Sequence, residues 1–451
     1  MLASLLLIAA AAAPAPALSL HGEKITLDNG LVVIAAQDKS VPGVSMDLWY
    51  RVGSRDEEPG RTGFAHLFEH LMFMGAVHVP YPQFDTIMEA AGGNNNASTN
   101  CDRTNYWEVG PSNLLETFFW MESDRMATLD RAMTDDKLKA QRLIVQNERR
   151  QSYENRPYGM ADLAFEEQVY PKGHPYSWST IGSHADLEAA TLPDVLKFFR
   201  TWYVPNNAVL AVVGDVDPQA VFAMAKKYFA FIPKKELPKK EAPAPYKMPE
   251  DKKLTLTDKV ENEKALYAWP SPAAFKPGDA EADILQSILA RGKASRLYER
   301  LVHHDQIATE VRAFQLNQEY GSVFVIDAVA APGHHAQELR HAIDDEVKKL
   351  LAKGVTRAEL DSTKSRLQSD FARRLEPLQS RAELLAQYEV VYGDPNSLEK
   401  DLARYTSATP ASVLATAKSI LGSPKLSVEV LPEVKPEAKP TEVKPQSGGV
   451  K

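Results

Sequence analysis

The sequence predicts an α+β fold of two similar domains, each a mainly antiparallel sheet with helices packed on it. The chain has 451 residues, which exceeds the size of one ordinary hydrophobic core, so two domains of about 200 residues each are expected. Strand-like and helix-like segments are mixed in both halves, and the halves are similar in size. Between them, PKKELPKKEAPAPYKMPEDK at 233–252 is rich in proline and charge and predicts a semi-rigid linker.

These signals divide the chain into five segments. We predict a signal peptide at 1–17, a first domain at 18–232, the linker at 233–252, a second domain at 253–432 and a tail at 433–451. The tail, EVKPEAKPTEVKPQSGGVK, is of low complexity and too poor in apolar residues to form a core, so we expect it to be disordered.

The N-terminus, MLASLLLIAAAAAPAPALSL, has a short apolar run at 5–13 followed by small residues of the cleavage type. The run is too short for a membrane span, and we therefore predict a cleaved secretory signal and no stable membrane anchor. The pattern departs from a usual signal because no Lys or Arg precedes the run. A retained anchor and a misassigned start are the alternatives.

Composition restricts the class of protein. A hydrophobic content of 44% with 25% charged residues is typical of a soluble globular chain. The net charge of −8 argues against a nucleic-acid partner. Cys101 is the one cysteine, so no intramolecular disulfide is possible. An exported protein without disulfides fits a bacterial periplasm, or another secreted location in bacteria.

The first half begins with two β-rich runs around Asn29-Gly30, a strong hairpin signal. VSMDLWYRV at 44–52 has nearly alternating apolar residues and predicts a half-buried strand. Thr62 is the predicted N-cap of a helix that ends near Gly75. Helices are predicted at 84–91, 112–128 and 134–153, with a turn and strand-like residues between the first two, at 92–109. NAVLAVVGDVD at 207–217 predicts a strand that leads into a turn, and a helix follows it.

The second half mixes the same elements. KLTLTD and SVFVIDAVAA predict strands, EADILQSILA predicts a helix, and 336–386 contains long helical stretches. The likeness between the halves suggests a duplicated unit, although no repeat is recognisable from the sequence itself.

The stretch GFAHLFEHLMFMG at 63–75 places two imidazoles and a carboxylate in an otherwise apolar run. At 100° per residue, Glu69 lies about 60° to one side of His66 and His70 about 40° to the other, so the three share one helix face. Zinc is the ion that most often takes such a histidine pair. The alternative, two satisfied core histidines with a salt-bridging Glu69, is disfavoured because burying three such groups without an organiser is costly.

The order His-x-x-Glu-His marks the inverzincins, and the sequence resembles the pitrilysin/insulinase family of zinc peptidases, especially its short processing-peptidase-like members. The likeness includes GSRDEEPGRTGFAHLFEHLMFMG, NASTNCDRTNYW, VQNERRQSYENRPYG, HPYSWSTIGSHADLEAAT and FFRTWYVPNNAVLAVVGDVD. The resemblance implies a third ligand on another helix, which here is Glu148. It makes 18–232 the catalytic domain and 253–432 a second, homologous domain.

This resemblance implies a zinc metalloendopeptidase with one Zn²⁺ per chain. Two histidines and a glutamate leave a coordination position for water, as in catalytic zinc sites. Glu69 is expected to act as general base on the zinc-activated water. Related enzymes often carry an acidic residue two turns before the third ligand, where this chain has Gln141. An amide there can still hold a ligand or water by hydrogen bonding.

The resemblance also implies where a peptide substrate binds. Asn96, Ala97, Ser98 and Thr99 match a sheet edge to which an extended peptide adds as a strand. The alternative is that the asparagine run is only a turn.

Family chains with a substrate-gripping second half carry an arginine and, seven residues later, a tyrosine after a Ser-Arg-Leu block. Here Ser295-Arg296-Leu297 is followed by Val302 and Thr309 at those positions. We therefore expect a heterodimer in which a related subunit supplies the Arg/Tyr pair. His303-His304 is interpreted as a solvated surface pair, with a second metal site as the alternative. The alternative function is a non-catalytic peptide-binding or scaffold subunit, since some family chains have lost the metal motif.

Overall fold

The computed structural model describes residues 18–433. The predicted signal peptide at 1–17 and all but the first residue of the predicted tail lie outside the described residues. None of the helices within residues 18–433 combines the length and apolar character needed to cross a membrane.

The first half forms a six-stranded sheet with the spatial order β1-β2-β6-β3-β5-β4. Its pairs are antiparallel except β2 with β6. The strands are β1 Glu23–Thr26, β2 Val32–Gln37, β3 Gly43–Tyr50, β4 Asn94–Thr99, β5 Thr104–Pro111 and β6 Ala208–Gly214. The predicted hairpin joins β1 and β2, with Gly30 in the left-handed region at φ 86°.

The helices of the first half pack on this sheet and on one another. They are α1 Phe64–Leu71, α2 Gln83–Ala90, α3 Leu115–Ala132, α4 Asp135–Arg149, α5 Gly159–Gln168, α6 His184–Ala189, α7 Leu192–Trp202 and α8 Pro218–Phe229. The predicted helix at 134–153 is α4 followed by a π-helical turn, Arg150–Glu154.

The second half forms a five-stranded sheet with the order β7-β11-β8-β10-β9, and its one parallel pair is β7 with β11. Its strands are β7 Lys252–Asp258, β8 Lys264–Ser271, β9 Ala308–Leu316, β10 Ser322–Ala330 and β11 Leu426–Pro432. Its helices are α9 Asp279–Ala290, α10 Ala336–Lys353, α11 Arg357–Arg374, α12 Leu378–Tyr392, α13 Leu398–Thr406 and α14 Pro410–Leu421.

The two sheets share one topology. Removing β1 from the first sheet leaves β2-β6-β3-β5-β4, which matches β7-β11-β8-β10-β9 strand for strand, including the position of the parallel pair. The predicted α+β class with two similar, mainly antiparallel units is therefore confirmed.

The prediction of a half-buried β3 is wrong. Every residue of β3 after Gly43 is buried, because α12 from the second half covers the second face of the first sheet. Leu384 and Tyr388 of α12 belong to one apolar cluster with Trp49 of β3 and Val209 of β6. A strand covered on both faces does not need an alternation of apolar and polar residues. The nearly alternating pattern therefore predicted the covering of one face of the sheet and not of the other.

The N-cap prediction at Thr62 is also wrong. Helix α1 begins at Phe64, after Gly63 at φ 87°. The Thr62 hydroxyl instead contacts Asp186 of α6, and the Ser183 N–H donates to Thr62 Oγ1 at 3.1 Å. Thr62 therefore links the start of α1 to α6.

The stretch between the halves contains neither helix nor strand from 233 to 251. It is nevertheless attached to the first half. The Lys240 ammonium lies 2.8 Å from Asp56 Oδ1 and 4.6 Å from the centre of the Trp202 ring. Arg55 further joins the halves, because its guanidinium contacts Asp102 at 2.8 Å and Glu319 of the second half at 2.6 Å.

Candidate active site

Helix α1 is oriented by its apolar residues. Leu67, Phe68 and Leu71 are buried in the first core, and the Phe68 ring stacks on Phe199 with centroids 5.5 Å apart. The remaining face, which carries His66, Glu69 and His70, is therefore turned away from this core, as helical periodicity predicts.

The structure brings His66, His70 and Glu148 together from two helices. Glu148 lies near the end of α4, which packs against α1. Glu148 Oε2 is 3.6 Å from His66 Nε2 and 3.3 Å from His70 Nε2. One ligand atom from each of the three residues lies within 4.8 Å of the other two.

This donor set fits zinc. Two donors about 2.1 Å from one tetrahedral ion lie about 3.4 Å apart, which is the separation found between the glutamate oxygen and both imidazole nitrogens. Burial, followed by the neighbouring His70, lowers the pKa of His66 to about 4. The ring is therefore neutral at physiological pH and can offer a lone pair. Contact with His70 is the main cause that lowers the pKa of Glu148 and keeps it anionic.

Glu69 lies beside this trio on α1, and α1 packs against the edge strand β4. Burial raises its pKa, whereas the neighbouring Thr99 side chain and His70 lower it. A carboxylate whose pKa is raised by burial is a better proton acceptor than an exposed one. Glu69 is thus placed between the predicted ligands and the predicted substrate strand.

The predicted substrate segment forms β4, an edge strand of the first sheet paired only with β5. At the end of the hairpin the Asn100 N–H donates to the Arg103 carbonyl at 3.0 Å. Antiparallel pairing alternates, so the main-chain groups of Thr99 and Ala97 point away from β5. In agreement, the Ala97 N–H donates to Asn96 Oδ1 at 2.8 Å.

The four predicted substrate residues therefore divide into two groups. Ala97 and Thr99 offer outward main-chain groups, whereas those of Asn96 and Ser98 pair with β5. The Ser98 side chain donates to Asn105 Oδ1 at 2.8 Å and accepts from Arg103. The alternative interpretation of this segment as only a turn is wrong, because β4 is a six-residue strand.

A buried carboxylate caps the helix that carries the histidines. Glu57 accepts hydrogen bonds from the N–H groups of Gly63, at 3.0 Å, and Ala65, at 2.8 Å. Burial raises the pKa of Glu57, and these two donors lower it. The cap binds two of the free N–H groups at the start of α1 and positions its first turn.

The loop before α6 holds α1 and α4 together. Gly182 packs directly on Gly63, so that a Cβ atom at residue 182 would lie 2.4 Å from the Gly63 Cα. On the other side, Arg149 donates to the Gly182 carbonyl. Because Arg149 follows Glu148, this loop fixes the third ligand relative to the histidine helix.

Gln141 is buried two turns before Glu148, and its Nε2 lies 2.8 Å from the Met74 sulfur. Within residues 18–433 its amide makes no hydrogen bond to the three predicted ligands. Its contact instead supports the chain just beyond α1.

Val302 and Thr309 lie in the second half, in a π-helical turn and in β9 respectively.

Sequence reasoning missed Glu57 and Gly182. Glu57 lies in an ordinary acidic stretch, DEEPG, and carries no local signal of burial. Gly182 resembles any turn glycine. Both act through contacts distant in sequence, which periodicity and spacing do not report.

The chain matches the family model described as insulinase (peptidase family M16) over residues 32–171 and the peptidase M16 inactive domain over 189–367. It is 35% identical over 376 residues to the zinc protease PqqE of Helicobacter pylori, covering 82% of this chain and 83% of that protein.

The fold of the chain is similar to that of solved protease structures. A protease from Helicobacter pylori aligns with a TM-score of 0.84 and 30% identity, covering 92% of this chain and all of that one. The periplasmic protease PqqL of Escherichia coli aligns with a TM-score of 0.73 and 19% identity, and the alignment covers 92% of this chain but 48% of PqqL. The chain belongs to the insulinase family of peptidases, peptidase family M16.

Proposed function

We propose that this protein is a zinc metalloendopeptidase in which His66, His70 and Glu148 hold one Zn²⁺ and Glu69 is the general base. The observation that carries the proposal is the convergence of three ligand atoms within 4.8 Å of one another, beside a largely buried glutamate. The names of the relatives, which are zinc proteases, support the choice of metal.

The chemistry divides between the metal and the chain. When bound, zinc supplies a Lewis acid that acidifies a water and polarises a peptide carbonyl. Glu69 takes the proton from the attacking water and passes it to the nitrogen of the leaving amine. The Thr99 side chain, which lies near enough to lower the pKa of Glu69, helps to orient the carboxyl for both transfers. His66 and His70 remain neutral and act as nitrogen donors.

We propose extended peptides and unfolded segments as substrates. The outward main-chain groups of Ala97 and Thr99 can pair with a peptide of any sequence, because strand addition uses main-chain hydrogen bonds. Helix α1, which carries Glu69, packs against β4, so a peptide bound along β4 runs beside the general base. A folded protein does not offer a free strand to such an edge.

Loss of a single ligand tests the proposal. We expect His70→Ala to lose both zinc, measured by atomic emission, and cleavage of a quenched fluorescent peptide. Ser287→Ala is the control, because it truncates a buried polar side chain of α9 in the second half, and it should retain both. Normal zinc content and turnover in His70→Ala would refute the assigned site.

We further propose that the active enzyme is a heterodimer. Val302 and Thr309 stand where related chains carry the Arg/Tyr pair, and neither offers a charge or a phenol. That this chain spans about half of PqqL supports an arrangement of paired units. Copurification from the native host should yield a related partner subunit, and adding it should raise peptidase activity. Full activity of the isolated monomer would contradict this proposal.

The second candidate function is a non-catalytic peptide-binding subunit. The match of residues 189–367 to the inactive-domain model favours it for the second half. The complete set of His66, Glu69, His70 and Glu148 favours catalysis in the first half. A chain that binds peptides and zinc but never cleaves them with any partner would support the second candidate.

We also propose export to the bacterial periplasm with removal of 1–17. The apolar run and the small residues after it support this. N-terminal sequencing of the protein from a periplasmic extract should begin near residue 18. A cytoplasmic protein with an intact N-terminus would contradict it.

A further inference from the structure

A second group of potential metal ligands lies in the second half. Glu299, His303 and His304 belong to the π-helical turn Tyr298–His304, which precedes the edge strand β9. One ligand atom from each lies within 4.8 Å of the other two. The side chains are solvent-accessible, with His303 67% and His304 70% exposed.

The π-helical turn is the reason that adjacent histidines meet one carboxylate. On an α-helix, a residue five positions along lies about 140° around the axis and points elsewhere. In a π-helical turn, the i→i+5 hydrogen bonds place residues i+4 and i+5 on either side of residue i. Here the Asp305 N–H donates to the Arg300 carbonyl at 2.8 Å, and both histidines lie over Glu299.

The separations match those of the first site. Glu299 Oε2 is 3.4 Å from His303 Nδ1 and 3.6 Å from His304 Nε2. These values agree with the spacing of about 3.4 Å between two donors on one tetrahedral zinc ion. At the predicted catalytic site the corresponding separations are 3.3 Å and 3.6 Å.

Other histidine–carboxylate pairs in the described part of the chain are different. His78–Asp124, His184–Glu154, His334–Glu338 and His335–Glu263 are separated by 2.6, 2.8, 2.9 and 2.8 Å. Those are ordinary hydrogen bonds, each between one ring and one carboxylate. Within residues 18–433, only two groups bring two imidazoles to one carboxylate at separations of 3.3–3.6 Å. They are His66, His70 and Glu148, and Glu299, His303 and His304.

We propose that Glu299, His303 and His304 form a second, peripheral zinc site. Two imidazoles and a carboxylate are ligands that zinc accepts, with water completing the shell. The cation of the same turn is engaged elsewhere, because Arg300 lies 3.3 Å from Asp345 and 3.4 Å from Asp305. The site binds zinc more weakly than the first, since exposed rings are not held in place by neighbouring groups.

Equilibrium dialysis of the full chain against micromolar free zinc, followed by atomic emission, tests the proposal. We expect two bound equivalents in the wild type and one in His303→Gln/His304→Gln. The matched control is His334→Gln/His335→Gln, another adjacent pair in the same half whose rings contact two different glutamates. This control should retain both equivalents.

The second site is independent of the proposed peptidase function. His70→Ala should lose the tight equivalent and keep the weak one, and the reverse applies to His303→Gln/His304→Gln. A single equivalent in the wild type, or a second one that survives His303→Gln/His304→Gln, would overturn the proposal. Because both histidines are exposed, the variants should show the parent's circular dichroism spectrum and melting temperature.

Discussion

The two halves of the chain place the same framework around different side chains. In the first half, α1 packs on α4 and on the edge strand β4, and in the second half α9 packs in the same way on α11 and on the edge strand β9. The predicted zinc site lies among the first set of elements. The corresponding place in the second half is a cavity of about 770 Å³.

The side chains at equivalent helix positions differ between the two halves. His66, Glu69 and His70 of α1 correspond in spacing to Asp283, Gln286 and Ser287 of α9, which line the second cavity. Where Glu148 contacts His70 at 3.3 Å, Arg366 of α11 contacts the Ser287 hydroxyl, also at 3.3 Å. The fold thus supplies the geometry twice, but the second half has a carboxyl and a hydroxyl group in place of the two imidazoles and a cationic arginine in place of Glu148.

The edge strands differ as well. In β9 the Gln315 N–H donates to Gln286 Oε1 of α9 at 3.1 Å, so a helix side chain occupies that edge donor. In β4 the Ala97 N–H is bonded, among residues 18–433, only to the side chain of its neighbour Asn96. A substrate strand can displace a neighbouring side chain more easily than a helix-anchored one, so the comparison favours β4 as the open edge.

The largest expected effect is on kcat, and it distinguishes α1 from α9. Glu69→Gln should lower kcat by about 10²–10⁴-fold, because the amide cannot accept the proton, while zinc content is unchanged. Gln286→Ala, at the corresponding position of the second half, should leave kcat unaltered. Peptide cleavage measures kcat, and atomic emission measures the zinc content. A Glu69→Gln enzyme as active as the parent would refute the assignment of Glu69 as the general base.

The next effect concerns two glycines with nearly the same backbone. Gly182 has φ 72° and Gly393 has φ 71°. A Cβ at Gly393 meets nothing within 4 Å, so Gly393→Ala should cost only the left-handed strain of about 1–2 kcal/mol. Gly182→Ala adds a clash with Gly63, and overpacking costs about 1–3 kcal/mol more.

Urea denaturation of the zinc-loaded proteins measures this difference, and the Gly182→Ala protein should also bind zinc more weakly because α1 and α4 separate. Equal losses of stability in the two variants would show that the contact between Gly182 and Gly63 is unimportant.

A third prediction concerns Asp283, the counterpart of His66. Burial, followed by the neighbouring Asp279, raises the pKa of Asp283 to about 7. The folded state therefore binds a proton more tightly than the unfolded state, and stability falls as pH rises from about 4, the unfolded pKa, through about 7.

Asp283→Asn removes this dependence. The change in the free energy of unfolding caused by Asp283→Asn should be more favourable at pH 8 than at acidic pH by about 4 kcal/mol, the equivalent of a difference of about three pKa units. Denaturation curves at acidic and alkaline pH check this sign. A variant whose stability changes equally at both would mean that the pKa of Asp283 is the same in the folded and unfolded states.

The smallest effect concerns the edge of β4. Asn96→Ala frees the Ala97 N–H for a substrate strand and should lower KM by a few-fold at constant kcat, since one hydrogen bond contributes about 1 kcal/mol. Asn94→Ala, which alters an exposed residue of the same strand, is the control. An increase in KM for Asn96→Ala would indicate that the side chain itself binds the peptide.

Local information in the sequence determined a substantial part of this protein. Helical periodicity places His66, Glu69 and His70 on one face, because their angular relation depends only on the α-helix. The apolar residues between them orient that face, and Asn29-Gly30 determines a hairpin. The family resemblance added Glu148, which no local pattern singles out among the charges of α4.

Tertiary structure decided the remainder. The proximity of Glu148 to the histidines depends on the contact of Gly182 with Gly63, and the complete burial of β3 depends on α12, more than three hundred residues later in the chain. The convergence of Glu299, His303 and His304 depends on a π-helical turn in place of an α-helical one. These features arise from long-range packing and backbone geometry, to which the spacing of residues along the chain is insensitive.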